Sequence, residues 1–172
     1  MGILSGNPHQ EPMHYGEVFA VWSYLTKCNA CIAGYQTMVN HCGDNDLRDL
    51  LQDLVKTAQQ EKKQTESILK ENGIALPPAP PERPAANAEA IPAGARMMDP
   101  EIAAMIAVDN AASLVACSQA MGQCVREDIA AMFGQFHATK AQYGLRILRM
   151  NKEKGWLIVP PLHVQTPEPV QV

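Results

Sequence analysis

The sequence predicts an all-α protein, a four-helix bundle built from two repeated helical hairpins. Residues 42–78 align with residues 124–160 without a gap, at a constant offset of 82 residues (124 minus 42). Apolar residues in both copies recur at steps of three and four, which is the spacing of one helix face. An internal period of this size, with helical patterning inside it, indicates two copies of one helical hairpin.

The size and composition of the chain indicate one domain with a helical core. Its 172 residues match the usual size of a single domain. Aromatic residues make up only 5% of the sequence against an apolar total of 47%, so the core must be mostly aliphatic, which suits closely packed helices. The net charge of −4 and the lack of a basic cluster argue against nucleic acid and anionic membranes as partners.

No targeting or membrane segment is recognisable in the sequence. The first residues lack the basic region and apolar run of a signal peptide, and no stretch reaches the roughly 18 uninterrupted apolar residues that a membrane span needs. The cysteine count is five, an odd number, and four of the five fall inside predicted helices. This favours a reduced, intracellular protein, and we expect it to be cytoplasmic with no membrane span.

The first hairpin is expected over residues 12–73, after a flexible segment over residues 1–11. Helix 1 is predicted from Pro12, a good first-turn residue, to about residue 40, and residues 41–45 form the turn. Helix 2 is predicted from Asp46, as its N-cap, to residue 72, where Gly73 supplies the stop.

The segment that follows, residues 74–97, is predicted to be an extended connection. It holds six of the thirteen prolines, so it cannot form an α-helix. Proline-rich chain extends by about 3.1 Å per residue. The segment can therefore cross the whole length of a bundle whose helices are about 40 Å long at about 1.5 Å per residue.

The second hairpin is expected over residues 98–155. Helix 3 is predicted from Asp99 as N-cap, with Pro100 in the first turn, to about residue 124. It is rich in alanine and apolar nearly all round, so it is either the most enclosed helix or buried against a second subunit. We expect a homo-oligomer that forms through helix 3. Helix 4 is predicted from Asp128 to a stop before Gly155, and residues 156–172 form an extended tail.

This architecture resembles the ferritin-like four-helix bundle, in which a long crossover joins two helical hairpins. The chain resembles in particular a bacterial ferritin-like family of unknown function from spore-forming species, some of whose members are labelled as candidate spore coat proteins. The matching motifs are Glu17-x-x-x-Val21-Trp22, Arg126-x-Asp128-Ile129, and Glu153-Lys154-Gly155 ahead of Pro160-Pro161. The resemblance implies a fold and a kind of organism, and it does not imply a reaction.

The sequence offers few ligands for a metal. A ferritin-like di-iron site needs a Glu from each of two helices and Glu-x-x-His from each of the other two. Within the four predicted helices no Glu is followed by a His three residues later, and the repeat partner of Glu61 is Tyr143. The remaining hypothesis is a single transition metal bound at the start of helix 1 by His14 and Glu17, helped by Glu66 or Asp128. Glu61 on the seam of helix 2 and His137 beside the seam of helix 4 are further candidate ligands, and His137 is favoured as a hydrogen-bonded boundary residue.

The same residues also have structural interpretations, which we favour. Glu61 and Lys140 both lie on apolar seams and at the same level if the helix ends coincide, so they are expected to form a buried ion pair. Glu17 and Arg126 lie at the same end only if the connection crosses the bundle. In that topology they are expected to form a bidentate ion pair with distances of about 2.7–2.9 Å.

The cysteines and the missing motifs complete the functional prediction. Cys28 and Cys31 have C-x-x-C spacing but lie within a helix, so a role in core packing is favoured over redox or Cu(I) chemistry. No phosphate-binding loop or Ser/His/Asp order is present. We therefore predict a non-enzymatic structural or interaction protein of a spore-forming bacterium, without a cofactor. The alternative is a ferritin-like metal-binding protein.

Overall fold

Four long α-helices form the body of the computed structural model, which describes residues 11–163. Helix α1 spans Tyr15–His41, α2 spans Asn45–Glu71, α3 spans Asp99–Gln123 and α4 spans Glu127–Glu153. The described residues contain no β-strand. The all-α fold with two paired hairpins is therefore as predicted, because α1 packs mainly on α2 and α3 mainly on α4.

The first two helices begin at side-chain caps, and these caps differ from the predicted ones. Helix α1 starts at Tyr15, three residues after Pro12, because His14 accepts a hydrogen bond from the Gly16 N–H at 3.0 Å. Helix α2 is capped by Asp44, whose carboxylate accepts the Leu47 N–H at 3.0 Å, and not by Asp46.

In the second hairpin the predicted caps lie inside the helices. Asp99 is the first residue of α3, and its carboxylate accepts the Gly43 N–H at 2.8 Å, so it ties α3 to the turn of the first hairpin. Helix α4 starts at Glu127, one residue before Asp128. In both hairpins the second helix ends at a glycine with positive φ, 70° at Gly73 and 71° at Gly155.

The connection between α2 and α3 runs along α1 from one end of the bundle to the other. The indole N–H of Trp22 donates to the Ala75 carbonyl at 3.1 Å, and further on the Gln36 side chain accepts the Arg83 N–H at 3.0 Å. Asn40 then binds the backbone of residues 84 and 86. Helix α3 consequently starts at the end opposite to the start of α1, which is the crossing topology. Two single 3₁₀ turns, Ala88–Ala90 and Ala93–Ala95, interrupt the extended chain.

The core consists of two apolar clusters separated by polar residues. One cluster lies at the end where α3 begins and includes Leu47, Leu50 and Ile147. The other lies at the end where α1 begins and includes Leu25 and Phe133. Glu61 of α2 and Lys140 of α4 lie between the two clusters along the helices, and both are buried.

The outer face of α3 remains exposed and apolar. Met105, Val108 and Val115 are 48%, 71% and 66% exposed. Within the described chain, one segment, Ala93–Gln123, is long and apolar enough by length and composition to cross a membrane. The same test is passed by core helices of soluble bundles, and the inner face of α3 packs on α1 and α4 through residues such as Ile102 and Cys117.

Candidate functional site

A buried ion pair lies in the middle of the bundle. The Lys140 Nζ atom is 2.7 Å from Glu61 Oε1 and 2.8 Å from Oε2. Glu61 is 4% exposed and Lys140 is 9% exposed. These are the two residues that the sequence places on apolar seams at the same level. Because both groups are buried, each charge requires the other as its partner, since an unpaired ion in the core costs several kcal/mol.

Tyr24 extends this pair into a hydrogen-bonded chain. Its hydroxyl donates to Glu61 Oε2 at 3.1 Å, and the Cys117 thiol donates to the Tyr24 oxygen at 3.7 Å. The Tyr24 ring is held between Phe133, edge-on at 5.3 Å, and Phe136, stacked at 5.4 Å. Burial, with the Glu61 carboxylate beside it, raises the pKa of Tyr24 far above its usual range. The hydroxyl therefore remains a donor at physiological pH.

A second polar cluster lies beside the first, between α1 and α3. Asp109 pairs with Lys27 at 3.3 Å, accepts the Tyr35 hydroxyl, and accepts the Cys31 thiol at 3.7 Å. Ser113 also contacts Lys27. No sequence motif predicted this cluster. The available signal was Asp109 itself, the one acid in α3 after its first turn.

The space between the two clusters is too small for a substrate. A cavity of about 10 Å³ is lined by residues of both, including Tyr24, Cys28, Glu61 and Asp109. That volume holds about one water molecule, whereas pockets for small-molecule ligands are about 300–1,000 Å³. The arrangement can fix helix positions and hold protons, and it offers no chamber for a reaction on an organic substrate.

A surface groove of about 820 Å³ lies at the end of the bundle where α3 begins. Two of its polar side chains hold the backbone. The His41 ring accepts the Met97 N–H at 3.1 Å, and Asp99 accepts the Gly43 N–H. These two side chains therefore anchor the connection to the hairpin turn.

Glu17 lies at the opposite end, and its contacts correct one expectation. Its carboxylate accepts the backbone N–H groups of Val125 and Arg126, both at 2.7 Å, and that of His14 at 3.1 Å. These hydrogen bonds do not include the expected bidentate contact with the Arg126 guanidinium. The free N–H groups ahead of α4 take the carboxylate instead, since an anion is favoured at a helix N-terminus.

The Arg126 guanidinium has other partners. It contacts Asp128 at 2.6 Å and 3.1 Å, the Asn72 side chain at 3.0 Å and the Glu11 carbonyl at 3.2 Å. The hydrogen-bonded Asp128 carboxylate raises the pKa of Arg126 above its ordinary value. Arg126 therefore joins three segments of chain at this end, which the sequence motif alone did not indicate.

The candidate metal ligands do not assemble into a site. The His14 ring accepts the Gly16 N–H through Nδ1 and faces the Gln123 carbonyl through Nε2 at 3.1 Å, so neither nitrogen has a lone pair to offer. Glu66 contacts Lys62 and Lys70 on the surface, and His137 is half-buried on α4. Over residues 11–163 no group of three or more His, Cys, Asp or Glu residues could hold a metal ion.

Two further observations weigh against a di-iron centre. The Lys140 ammonium lies against Glu61, so a cation already neutralises the one carboxylate that the helix seams bury in the middle of the bundle. Glu11 and His14 do have Glu-x-x-His spacing, but both precede the first residue of α1, Tyr15. They do not share a helix face with each other. The residues present do not fit a ferritin-type metal centre.

The cysteines are free and positioned for packing. Cys28, Cys42 and Cys117 are buried, and Cys31 and Cys124 are half-buried. Burial raises the pKa of all five thiols, to about 11 for Cys31 and for Cys124. A reactive cysteine needs the opposite shift.

We expect slow thiol labelling of the folded protein at pH 8. With a pKa of about 11, Cys31 and Cys124 are about 0.1% thiolate at that pH. Dithionitrobenzoate should therefore react slowly with native protein and rapidly with five thiols in guanidinium chloride. Fast labelling of a thiol in the native protein would contradict the raised pKa values.

The fold and its interior define a class of protein, a four-helix bundle whose middle is closed by an ion pair. The family model described as "Protein of unknown function (DUF3231)" matches residues 1–168. The chain belongs to this family. It is 59% identical over 165 residues to the uncharacterised protein YvdQ of Bacillus subtilis (strain 168), covering 96% of this chain and 97% of that protein.

Solved structures agree with this assignment. A crystal structure from Bacillus halodurans C-125, named a "putative spore coat protein", is 53% identical with a TM-score of 0.91. It covers 92% of this chain and 100% of its own. A conserved hypothetical protein of Mycobacterium tuberculosis matches with a TM-score of 0.64 at 15% identity, over 78% of this chain and 96% of its own, and shows the fold alone.

Proposed function

We propose that the protein is a non-catalytic structural component of the bacterial spore that self-associates through the outer face of α3. The observation that carries the proposal is this face, a largely apolar surface that is free of charge from Ala104 to Gly122. The name of the similar protein from Bacillus halodurans supports a link with the spore. In this proposal the chain is made in the cytoplasm and then incorporated into the spore, and it needs no cofactor.

The outer face of α3 has the composition of a contact surface. Its exposed residues from position 104 to position 122 follow the helical steps of three and four and carry no charge. They are Ala104, Met105, Val108, Ala111, Ala112, Val115, Ser118, Gln119 and Gly122. The exposed acid Glu101 lies in the first turn of α3, where it accepts the Met98 N–H at 2.7 Å, and Asp109 is turned toward Lys27 of α1. Exposed apolar surface of this extent marks an interaction site.

A second copy of the chain is the partner that this surface fits. An uncharged face has no charged partner to match, whereas it is complementary to itself, as a two-fold interface requires. A helix of 25 residues is about 37 Å long and about 10 Å wide, so the face offers about 370 Å² of projected area. A standard interface uses about 800 Å² per partner. Neighbouring exposed residues must therefore contribute.

We expect charge on this face to disrupt the assembly. The variants Val108→Glu and Val115→Glu would place a carboxylate in a desolvated interface. Each should shift the protein from an oligomer toward a monomer in multi-angle light scattering at tens of micromolar. The control Gln64→Glu adds the same charge at an exposed position of α2 and should leave the mass unchanged. A wild-type monomer, or one that floats with lipid vesicles instead of associating, would contradict self-association.

The link with the spore is tested separately in cells. Antibody against the protein should detect it in purified spores, in the fraction extracted with detergent and reductant, and much less in vegetative cells. Its presence in vegetative cytoplasm alone would contradict the structural role in the spore while leaving the self-association intact.

A further inference from the structure

The Pro-rich connection fills an outer groove between α1 and α2. Depressions beside it are lined by residues of both helices together with residues of the connection itself. One such depression is lined by Asn29 of α1, Gln59 of α2, and Pro80 and Pro81 of the connection. Part of the surface of the first hairpin is thus covered by the chain's own extended segment.

The second hairpin has the equivalent groove, but it is uncovered. At the offset of 82 residues, Asn29, Ala33 and Gln36 correspond to Ala111, Val115 and Ser118 on α3. On α4 the equivalents of Lys56 and Gln59 are Ala138 and Ala141. We name the space between these two sets the α3–α4 groove. All five of its residues are exposed, and four are Ala or Val. The side chains that line this groove are therefore smaller and more apolar than those of its counterpart.

The segment that would cover the groove leaves the body of the molecule. Leu76 in the connection is half-buried and packs on the core, whereas its repeat equivalent Ile158 is 87% exposed. Val159 and Leu162 are 57% and 75% exposed. We call residues 158–163, the part of this tail that the structure describes, the C-terminal arm. Its first five residues are apolar, and His163 follows them.

We propose that the C-terminal arm of one copy lies in the α3–α4 groove of a second copy. This inference rests on the proposed self-association and names the segment that completes the contact. Six extended residues reach about 20 Å at about 3.3 Å per residue, about half the length of α3. The arm therefore adds contacts with Ala138 and Ala141 of α4 to those that the outer face of α3 makes.

The chemistry of the arm suits an apolar groove. Trp22, Gln36 and Asn40 hydrogen-bond the backbone of the connection, and their equivalents on the second hairpin are Ala104, Ser118 and Gly122. Only Ser118 keeps a polar side chain there. The arm contains consecutive prolines, residues 160 and 161, which have no N–H to satisfy. Apolar side chains and few backbone donors match a groove with few acceptors.

The exposure of the arm and of the α3–α4 groove favours a second copy, and not the arm's own hairpin, as the acceptor of the arm. If the arm lay in its own groove, as the connection does in the first hairpin, Ile158 and Leu162 would be covered and so would Ala111. All three are exposed. The donor and the acceptor are therefore both available to another chain.

Mixed cysteine cross-linking tests this assignment. Leu162 corresponds to Pro80, and Ala111 to Asn29, and Pro80 and Asn29 line the same depression of the first hairpin. A mixture of Leu162→Cys protein and Ala111→Cys protein, oxidised with diamide, should give a disulfide-linked pair of chains. Neither variant alone should give it, nor should Leu162→Cys mixed with Gln64→Cys. A cross-link within single chains of the Leu162→Cys/Ala111→Cys double variant, at monomer mass, would overturn the proposal.

A charged arm separates this inference from the proposed function. The double variant Ile158→Asp/Leu162→Asp should weaken the assembly at least tenfold in dissociation constant and leave the thermal midpoint of the dilute monomer unchanged, since both residues are exposed. If Val108→Glu yields monomers while this variant assembles as the wild type does, the arm is not the occupant and self-association stands. If the wild type is itself a monomer, the proposed function fails first.

Discussion

Replacing Lys140 by Met is expected to lower the free energy of unfolding by about 3–5 kcal/mol, because it leaves the buried Glu61 carboxylate without its cation. The contact at 2.7 Å and the burial of both groups carry this expectation. The hydroxyl of Tyr24 would remain as the carboxylate's one close polar partner. Urea unfolding followed by circular dichroism measures the loss.

The double variant distinguishes a stability effect that comes from the pairing of the two charges from one that comes from either residue on its own. Glu61→Leu/Lys140→Met replaces both ions by apolar groups and should cost much less than either single change. The control Arg146→Ala removes an exposed contact at 2.7 Å to Asp53, also between α4 and α2, and should cost no more than about 1 kcal/mol. Single variants that unfold like the wild type would show that the pair contributes nothing.

Glu17→Ala is the second large effect that we expect, about 3–5 kcal/mol, because it leaves three backbone N–H groups without an acceptor at about 1–3 kcal/mol for each buried one. These are the groups of His14, Val125 and Arg126. Glu17 is 1% exposed, so water cannot replace the carboxylate without opening the end of the bundle.

Two comparisons make the Glu17 result specific. Glu17→Gln keeps one acceptor oxygen and should cost less than Glu17→Ala in the same unfolding measurement. Glu101→Ala removes a carboxylate that accepts a single exposed N–H, that of Met98 at 2.7 Å, and should cost about 1 kcal/mol. Equal losses for Glu17→Ala and Glu101→Ala would refute the role assigned to Glu17.

Much of this fold is readable from periodicity and spacing. The repeat, the glycine stops and the proline content of the connection predict four helices and a crossing, since each is a local property of the chain. The level at which Glu61 and Lys140 face each other follows from helix length alone. The helix starts shift by one to three residues because caps such as His14 and Asp44 compete with the propensity signals at Pro12 and Asp46.

The contacts that sequence reasoning missed depend on three-dimensional competition between groups. Arg126 had two acids within reach, and Asp128 takes its guanidinium while backbone N–H groups take Glu17. In the second cluster, Asp109 is separated in sequence from Tyr35 by 74 positions and from Lys27 by 82 positions. No local pattern links residues so far apart. In the proposed assembly the position of the apolar arm is set by the surface of a second molecule. The residue pattern of one chain does not indicate that contact.

The path of the connection has a consequence for the order of events during synthesis. Residues 83–86 hydrogen-bond to Gln36 and Asn40, which the ribosome has already released with the first hairpin. The first hairpin can therefore bind its own connection before α3 has been synthesised. Newly made α3 then starts growing from an anchored point at the correct end of the folded half. Nascent chains halted near residue 130 should already show native-like protection around Asn40.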